Sequence, residues 1–365
     1  MPFSDFHGNS ETVHRIREML ARERFPQGVI LAGPAGSGKY TLATMVARAM
    51  NCLEQPTTDG LPDYCGKCSN CIRIAQLEDL DSRVAEALEA REGMKETEKK
   101  DTRLFIQTHP DVLVIPPDPP QLMIKVDQVR RVIENIYFRP SEGRERIFIF
   151  TDAAFMKEAA NSLLKVLEEP PDFATIFLLA ENAAELLPTI RSRSMTLQLR
   201  SLSVAEIEQY LAKHRPDWKP QQRALVAKLS EGAVGRARTF DLDAYSAARE
   251  HALTILRTAL NSTEHTDLFK ITETYRAGAD GRQKTDLLLG CLYSVLQDLL
   301  FLDSGAPEQI RNTDILPQLQ KLAPAASFEW LSSASDRLSE VERGLRRNLL
   351  RSLSLDGFEV ALERN

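Results

Sequence analysis

The chain has 365 residues, a formal net charge of −6, 43% hydrophobic residues and 27% charged residues. This composition excludes a mainly disordered or collagen-like chain, and the length predicts two or three domains. The acidic balance excludes a globally basic nucleic-acid binder, so any contact with nucleic acid must come from a local patch. No apolar run approaches the roughly 18 residues of a membrane helix, and no signal-peptide pattern opens the chain. These features predict a cytoplasmic protein without a membrane segment.

The first 200 residues alternate between strand and helix patterns. Short apolar runs predict buried strands, and the amphipathic stretches between them predict helices. The predicted strands are Gly28–Ala32, Val112–Ile115, Arg146–Phe150, Thr175–Ala180 and Met195–Leu199. The predicted helices begin at Ser10 and near Lys39, and cover Val126–Ile136 and Glu158–Leu167. Buried strands separated by helices are typical of a parallel sheet covered on both faces, so we expect an α/β domain over residues 1–200.

The strand pattern disappears from Ser201 onward. Two small helices, Val204–Lys213 and Gln222–Leu229, predict a small helical domain over residues 201–242. Longer helical stretches follow at Ala247–Leu260, Leu287–Leu302 and Leu338–Leu355. They predict a helical bundle over residues 243–365, which makes three domains in all.

A highly charged segment, Leu77–Gln107, interrupts the α/β pattern. Leu80, Val84 and Leu88 lie at helical spacing, whereas Lys95–Asp101 is almost entirely polar. We expect a protruding helix or helical hairpin with a mobile tip. Because charge runs are usually solvated surfaces, an insertion without a separate function is the favoured interpretation.

A glycine-rich segment, Gly33-Pro34-Ala35-Gly36-Ser37-Gly38-Lys39, lies between a predicted strand and a predicted helix. That context is typical of a phosphate-binding loop. Glycines let successive backbone N–H groups point at phosphate oxygens, and the helix N-terminus and the lysine add positive charge. We therefore expect ATP or ADP to bind at Gly33–Thr41. A chance glycine-rich turn is the alternative.

Two positions depart from an active ATPase. Tyr40 follows the lysine where a Ser or Thr would hold Mg²⁺, and Thr41 comes one residue late, about 100° further round the helix. After the strand Arg146–Phe150, Thr151-Asp152 replaces the acidic pair that serves the metal and the attacking water. Both departures affect the metal, so we expect weak or absent hydrolysis by this chain, with Asp152 as the remaining carboxylate.

Four of the five cysteines, Cys52, Cys65, Cys68 and Cys71, lie within twenty residues. Two C-x-x-C steps can bring four thiolates around one tetrahedral ion, and four cysteines leave no open position, which predicts a structural zinc. Disulfides or unliganded thiols are the alternatives, and a DNA-binding zinc module has little basic or aromatic support. Cys291 is expected to be a core residue, and His109 a structural one.

These residues together resemble the clamp-loader branch of the AAA+ ATPases, which belongs to the bacterial DNA polymerase III holoenzyme. The resemblance covers most of the first 240 residues. It rests on the phosphate loop, the cysteine quartet, His109-Pro110-Asp111, the segment Ala160–Pro171 and the segment Leu187–Ser194, in which Ser194 replaces a cysteine. Residues 243–365 match only in helical character and length.

The resemblance implies a RecA-like AAA+ domain with a zinc module at residues 52–71, a helical lid at 201–242 and a collar at 243–365. It implies a hetero-pentamer with tau/gamma motor subunits and a delta subunit, which loads a sliding clamp onto primer-template DNA in the nucleoid-associated replisome. Arg193 corresponds to an arginine finger that acts on a neighbouring subunit's nucleotide, and a surface ion pair is the alternative. Arg236 corresponds to a nucleotide-sensing lid arginine, with an ordinary helix-terminal charge as the alternative, and Glu181-Asn182 to the position of a polar sensor.

Tyr40 and Thr151 favour a loader subunit that is not a motor. The alternative is a self-sufficient AAA+ ATPase, either a tau/gamma-like motor or another DNA-remodelling enzyme.

Overall fold

The computed structural model describes residues 2–95, 98, 102–119, 121–261, 275 and 280–346. The chain divides into two compact units. An α/β unit comprises Met1–Tyr210 with Gly232–Arg236, and a helical unit comprises Leu211–Glu231 with the chain from Ala237 onward. The further division of the helical part into a lid and a collar stays a prediction.

The α/β unit is built on a six-stranded sheet. The strands are β1 Gly28–Ala32, β2 Thr57–Thr58, β3 Leu61–Pro62, β4 Ile106–His109, β5 Val112–Ile115, β6 Arg146–Phe150, β7 Ala174–Ala180 and β8 Met195–Gln198. The sheet has the order β4–β5–β6–β7–β1–β8, and β2 pairs with β3 apart from it. All neighbours from β5 to β8 run parallel, and only the edge strand β4 is antiparallel. The predicted parallel sheet is confirmed, whereas β4 and the β2–β3 pair were not predicted.

Helices cover both faces of this sheet. The described helices are α1 Ser10–Ala21, α2 Lys39–Asn51, α3 Ser69–Ala75, α4 Leu80–Glu92, α5 Val126–Ile136, α6 Lys157–Glu168, α7 Pro188–Arg191, α8 Val204–His214, α9 Pro220–Leu229, α10 Val234–Arg238, α11 Leu242–Asn261, α12 Asp280–Asp303, α13 Leu316–Leu322 and α14 Phe328–Arg346. Alternate residues of β1 enter different cores: Val29 and Leu31 pack with α1 and α2, and Ile30 packs with α5 and α6. This is the two-residue period of a strand that is buried on both faces.

The helical unit packs α11, α12, α13 and α14 around one apolar core. Cys291 is fully buried in that core, as expected. The predicted helix Leu338–Leu355 falls partly in α14, and its portion beyond residue 346 lies outside the described residues.

The statement that no apolar run approaches the length of a membrane helix needs correction, because Gln283–Asp303 is long and apolar enough to cross a membrane by length and composition alone. In the helical unit this helix packs Leu288, Leu292 and Val295 into the core. Its Asp298 is fully buried and accepts hydrogen bonds from the backbone N–H groups of Arg311 and Asn312. This environment is that of a core helix, which passes the same test of length and composition.

The charged insertion does not protrude as expected. Helix α4 lies against the core of the α/β unit through Leu80, Val84, Ala87 and Leu88, whose spacing places them on one face of the helix. The polar stretch Lys95–Asp101, where a tip was expected, lies largely outside the described residues.

A buried carboxylate, Asp118, fastens the insertion to the sheet. Asp118 is fully buried and accepts hydrogen bonds from Arg91 at 2.8 Å, from Arg103 at 3.2 Å and from the Leu104 backbone at 3.1 Å. The end of α4 and the segment before β4 thus meet at one anion, since a buried charge needs such partners.

A second buried carboxylate, Asp111, holds the loop that leads into β6. It accepts backbone N–H bonds from Ser141 at 2.8 Å, Glu142 at 2.9 Å and Gly143 at 2.7 Å. Burial alone would raise the pKa of Asp111, but these three donors prevail and lower it below its ordinary 3.8. His109, also fully buried, accepts the Asp111 backbone N–H, which agrees with its expected structural role.

Asp111→Asn is expected to destabilise the α/β unit by about 1–3 kcal/mol at pH 7, because the amide places N–H groups against the N–H donors of the loop. Chemical unfolding would measure the loss. Because the folded pKa is lowered, the carboxylate stabilises the fold above its ordinary 3.8 and the difference between the two proteins narrows below that pH. Asp172→Asn, at an exposed aspartate, is the matched control; an equal loss in both variants would contradict the role of Asp111.

Candidate nucleotide site and metal centre

The phosphate loop lies at the carboxyl end of β1, an interior strand between β7 and β8. Gly36 and Gly38 have φ values of 76° and 90°, a left-handed conformation that favours glycine. At Gly38 a Cβ atom would also lie 3.0 Å from the ring of Phe6. Helix α2 begins directly after this turn, so its free N–H groups face the loop.

Lys39 turns back onto the loop. Its Nζ donates to the carbonyl oxygens of Gly33 at 2.6 Å and Pro34 at 2.9 Å. Burial lowers the pKa of Lys39, and the charges of Glu181, Glu185 and Asp152 oppose that shift. The predicted site residues Lys39 and Asp152 therefore lie close enough to interact electrostatically.

The loop also contains an unsatisfied polar atom. Ser37 is 7% exposed, and its hydroxyl oxygen has no hydrogen-bond partner among the described residues. A buried hydroxyl without a partner costs free energy, and a phosphate oxygen would accept its hydrogen bond. The loop from Gly33 to Thr41 thus offers a phosphate group three kinds of donor, namely backbone N–H groups, the lysine ammonium and the free hydroxyl of Ser37.

Tyr40 does not face the phosphate position. Its hydroxyl donates to the carbonyl oxygen of Leu77 at 2.7 Å, at the start of the insertion. Burial, assisted by the charges of Asp81 and Glu78, raises the pKa of Tyr40, so the phenol stays a neutral donor. The residue at the magnesium position therefore braces α2 against the insertion, and Thr41 beside it is exposed.

Tyr40→Phe is expected to cost about 0.5–1.5 kcal/mol, since it removes only the hydroxyl that bonds Leu77. Tyr40→Thr restores a small hydroxyl but also removes the packed ring, and is expected to cost about 2–4 kcal/mol. Neither variant should gain ATP hydrolysis, because Thr151 still lacks a carboxylate. Thermal unfolding measures the loss of stability, and phosphate release measures ATP hydrolysis. If the single substitution Tyr40→Thr produced hydrolysis, the expected need for a carboxylate at position 151 would be contradicted.

The other predicted residues at this sheet edge are placed as follows. Asp152 follows β6, is exposed, and accepts a hydrogen bond from the Ala154 backbone at 2.7 Å. Asn182 follows β7 and caps a short turn through the Ala184 backbone N–H, so its carbonyl oxygen is engaged in a structural bond. The backbone of Arg236 lies beside the phosphate loop, since a Cβ atom on Gly36 would lie 3.2 Å from the backbone nitrogen of Arg236. The side chain of Arg236 is exposed.

Gly235, which was not among the predicted site residues, allows the segment with Arg236 to lie close to the phosphate loop. The Gly235 backbone N–H donates to the Gly36 carbonyl at 2.8 Å, and a Cβ atom on Gly235 would lie 2.9 Å from the same oxygen. Only glycine allows this contact without a shift of the backbone. The segment Gly232–Arg236 is thereby held against the phosphate loop.

The four predicted cysteines converge. The sulfur atoms of Cys52, Cys65, Cys68 and Cys71 all lie within 4.8 Å of one another. A tetrahedral zinc with bonds of about 2.3 Å separates its sulfurs by about 3.8 Å, so the set fits one ion with modest contraction. All four are free thiols, which removes the disulfide alternative for this structure.

The surrounding backbone also suits thiolates. The N–H groups of Cys65 and Cys68 point at the sulfurs of Cys52 and Cys65, both at 3.3 Å. Asn70 lies between two of the cysteines and donates to the Asn51 carbonyl at 3.0 Å, where α2 ends. Asn51 in turn accepts N–H bonds from Arg144 and Glu145. The cysteine centre is thus connected to the loop that Asp111 holds.

Arg193 lies two residues beyond the end of α7 and belongs to a different segment of the chain from the phosphate loop. Its Nη1 donates to the Thr189 carbonyl at 3.0 Å and to the Ser192 hydroxyl at 3.3 Å. Its Nη2 lies 2.7 Å from a carboxylate oxygen of Glu168, the last residue of α6. The side chain keeps 35% of its surface exposed. No local pattern pairs Glu168 with Arg193, because the two residues are separated by 25 positions.

Comparison with known proteins extends this picture. The family described as "DNA polymerase III, delta subunit" matches residues 8–203. A DNA polymerase III subunit delta' of Yersinia pestis is 30% identical over 70% of this chain and 76% of its own length. The delta' subunit of Bacillus subtilis is 23% identical over 90% of this chain and 88% of its own length.

A DNA polymerase III gamma subunit from Buchnera aphidicola is 25% identical over 65% of this chain. This chain spans only 55% of the length of that relative. The similarity to gamma-type proteins therefore concerns one part of their length.

A largely parallel sheet in which an interior strand leads into a glycine-rich loop and a lysine-headed helix defines a P-loop α/β protein. Within that class, the matches over residues 8–203 and to the Yersinia protein narrow the assignment. The chain belongs to the family of DNA polymerase III delta' subunits. The resemblance stated from the sequence is thereby confirmed, whereas the preference for a subunit other than the motor stays a prediction.

Proposed function

We propose that this chain works as the delta' subunit of a clamp loader in the bacterial cytoplasm. It assembles with tau/gamma motor subunits and a delta subunit, and the assembly places a sliding clamp on primer-template DNA. The chain contributes a rigid body with a structural zinc, and it supplies Arg193 to the nucleotide of a neighbouring motor subunit. The hetero-pentamer, the clamp and the DNA follow from the family alone.

The observation that carries a non-motor role is the hydrogen bond from Tyr40 to Leu77. It commits the residue at the magnesium position to the fold, and Thr151 leaves Asp152 as the single carboxylate after β6. Phosphoryl transfer needs both the metal and a group that orients the water. Nucleotide binding at Gly33–Thr41 is supported by the free hydroxyl of Ser37 and by Lys39, independently of hydrolysis.

Zinc would be held by Cys52, Cys65, Cys68 and Cys71, and it would supply no catalysis because four thiolates fill its coordination. Its role is to fix the end of α2 and the start of α3 in a segment with few apolar residues.

The rival function is a self-sufficient AAA+ ATPase. ATP turnover by the purified chain alone distinguishes the two, with Lys39→Ala as control. We expect turnover indistinguishable from that of Lys39→Ala. Lysine-dependent turnover near the 1 s⁻¹ scale, roughly the lower end for typical enzymes, would favour the rival.

The role in assembly is tested by reconstitution. Omitting this chain from a mixture of motor subunits, delta, clamp and primed DNA is expected to abolish clamp loading, and adding it back should restore loading. Full loading in its absence would overturn the proposed function.

A further inference from the structure

The ion pair between Glu168 and Arg193 joins two segments whose roles are otherwise separate. Glu168 ends α6, where Pro170 and Pro171 prevent the helix from continuing. Arg193 follows α7, and its guanidinium meets the carboxylate at 2.7 Å. Both side chains are partly exposed, at 35% for Arg193 and 51% for Glu168, so the pair lies at the surface and within reach of another molecule.

The guanidinium is held from two sides. Nη1 is bound by the Thr189 carbonyl and the Ser192 hydroxyl, which belong to its own helical turn. Nη2 is bound by Glu168, the partner from a different helix. A guanidinium has five N–H donors, and the Nε–H of Arg193 is left without an acceptor among the described residues. Nε and Nη2 form one edge of the planar group, and an arginine edge of this kind binds a phosphate with two parallel hydrogen bonds.

We infer that Glu168 is a positioning residue that fixes the orientation of Arg193 for a phosphate group on a neighbouring subunit. This inference rests on the proposed function, since it needs Arg193 to act on that subunit. A long arginine side chain at a surface otherwise samples many rotamers, and ordering it costs conformational entropy. Because an acceptor within the same chain orders the side chain before assembly, less conformational entropy is lost when the phosphate binds.

The test uses the reconstituted loader with clamp and primed DNA, and measures kcat and KM for ATP separately. Glu168→Gln keeps the size of the side chain and removes its charge. It is expected to lower kcat about two- to five-fold, the range of an exposed ion pair, with KM unchanged. Glu168→Asp, which keeps the charge, is expected to retain more of the rate. Glu169→Gln, at the exposed neighbouring glutamate, is expected to behave as the wild type.

A double-mutant cycle separates positioning from a general structural effect. When Arg193→Ala is already present, Glu168→Gln should have no further effect on kcat. A further loss of kcat when Glu168→Gln is added to Arg193→Ala would overturn the positioning role alone. The same conclusion would follow if Arg193→Ala were slow while Glu168→Gln by itself left kcat unchanged or increased it. A full rate for Arg193→Ala would instead overturn the finger and with it this inference. Unfolding of the isolated chain should be the same for Glu168→Gln and Glu169→Gln.

Discussion

Cys71→Ser is expected to abolish zinc binding and to destabilise the α/β unit by about 5 kcal/mol or more. Structural zinc contributes its binding free energy to folding, and three thiolates hold the ion far more weakly than four. Cys71 is fully buried at the start of α3, so its loss affects the position of that helix. Metal content after dialysis against a chelator, together with thermal unfolding, measures both effects.

The damage should spread beyond the cysteines. Asn70 bonds to the Asn51 carbonyl, and Asn51 bonds to the backbone of Arg144 and Glu145. Because α2 runs from the phosphate loop to Cys52, its C-terminal end would lose its anchor. We expect faster hydrogen exchange in the segment Ser141–Glu145 as well as around the cysteines.

Cys291→Ala is the matched control, since this buried thiol lies in the helical unit. It should lose some packing but keep one zinc per chain. Zinc retained by Cys71→Ser after the same dialysis, or a wild-type chain that binds no zinc when produced with the metal, would contradict the metal centre.

Arg193→Ala is expected to slow hydrolysis at the neighbouring motor site by about 10³-fold or more, the range known for arginine fingers. A permanently charged planar guanidinium stabilises charge that develops on the transferred phosphate, and alanine offers nothing in its place. Single-turnover hydrolysis in the reconstituted loader, with clamp and primed DNA present, measures this rate. Assembly and unfolding of the isolated chain should change little, because Arg193 lies at the surface.

Arg193→Lys refines the result, because lysine keeps the charge but cannot form a planar fork. We expect it to recover only a small part of the rate. Arg191→Ala, at the nearby exposed arginine that ends α7, serves as the control and should be close to wild type. Turnover unaffected by Arg193→Ala would refute the role of this residue in hydrolysis.

Patterns confined to a few neighbouring residues were predictable. The strand Gly28–Ala32 was predicted with its observed bounds because all its residues are apolar and buried. The cysteine centre was predictable for a similar reason, since two C-x-x-C steps restrict where four sulfurs can lie. The strand Ile106–His109 escaped prediction, because Gln107 and Thr108 break its apolar character and it pairs only at the edge of the sheet.

Contacts between distant segments were not predictable. Nothing near Asp118 in the sequence indicates that it receives Arg91 and Arg103, so the insertion was wrongly expected to protrude. The bond from Tyr40 to Leu77 is of the same kind: the sequence showed that a magnesium ligand is missing, and only the structure showed what the phenol does instead.

The sequence by itself determined the parallel strands of the sheet, the phosphate loop, the cysteine quartet and the likeness to clamp-loader proteins, because local spacing and residue type carry that information. The tertiary structure alone decided where the insertion packs, how Asp111 holds a loop 30 positions away, that Gly235 contacts Gly36 and that Glu168 holds Arg193. Those contacts depend on which segments the folded sheet brings together, and no local pattern records that choice.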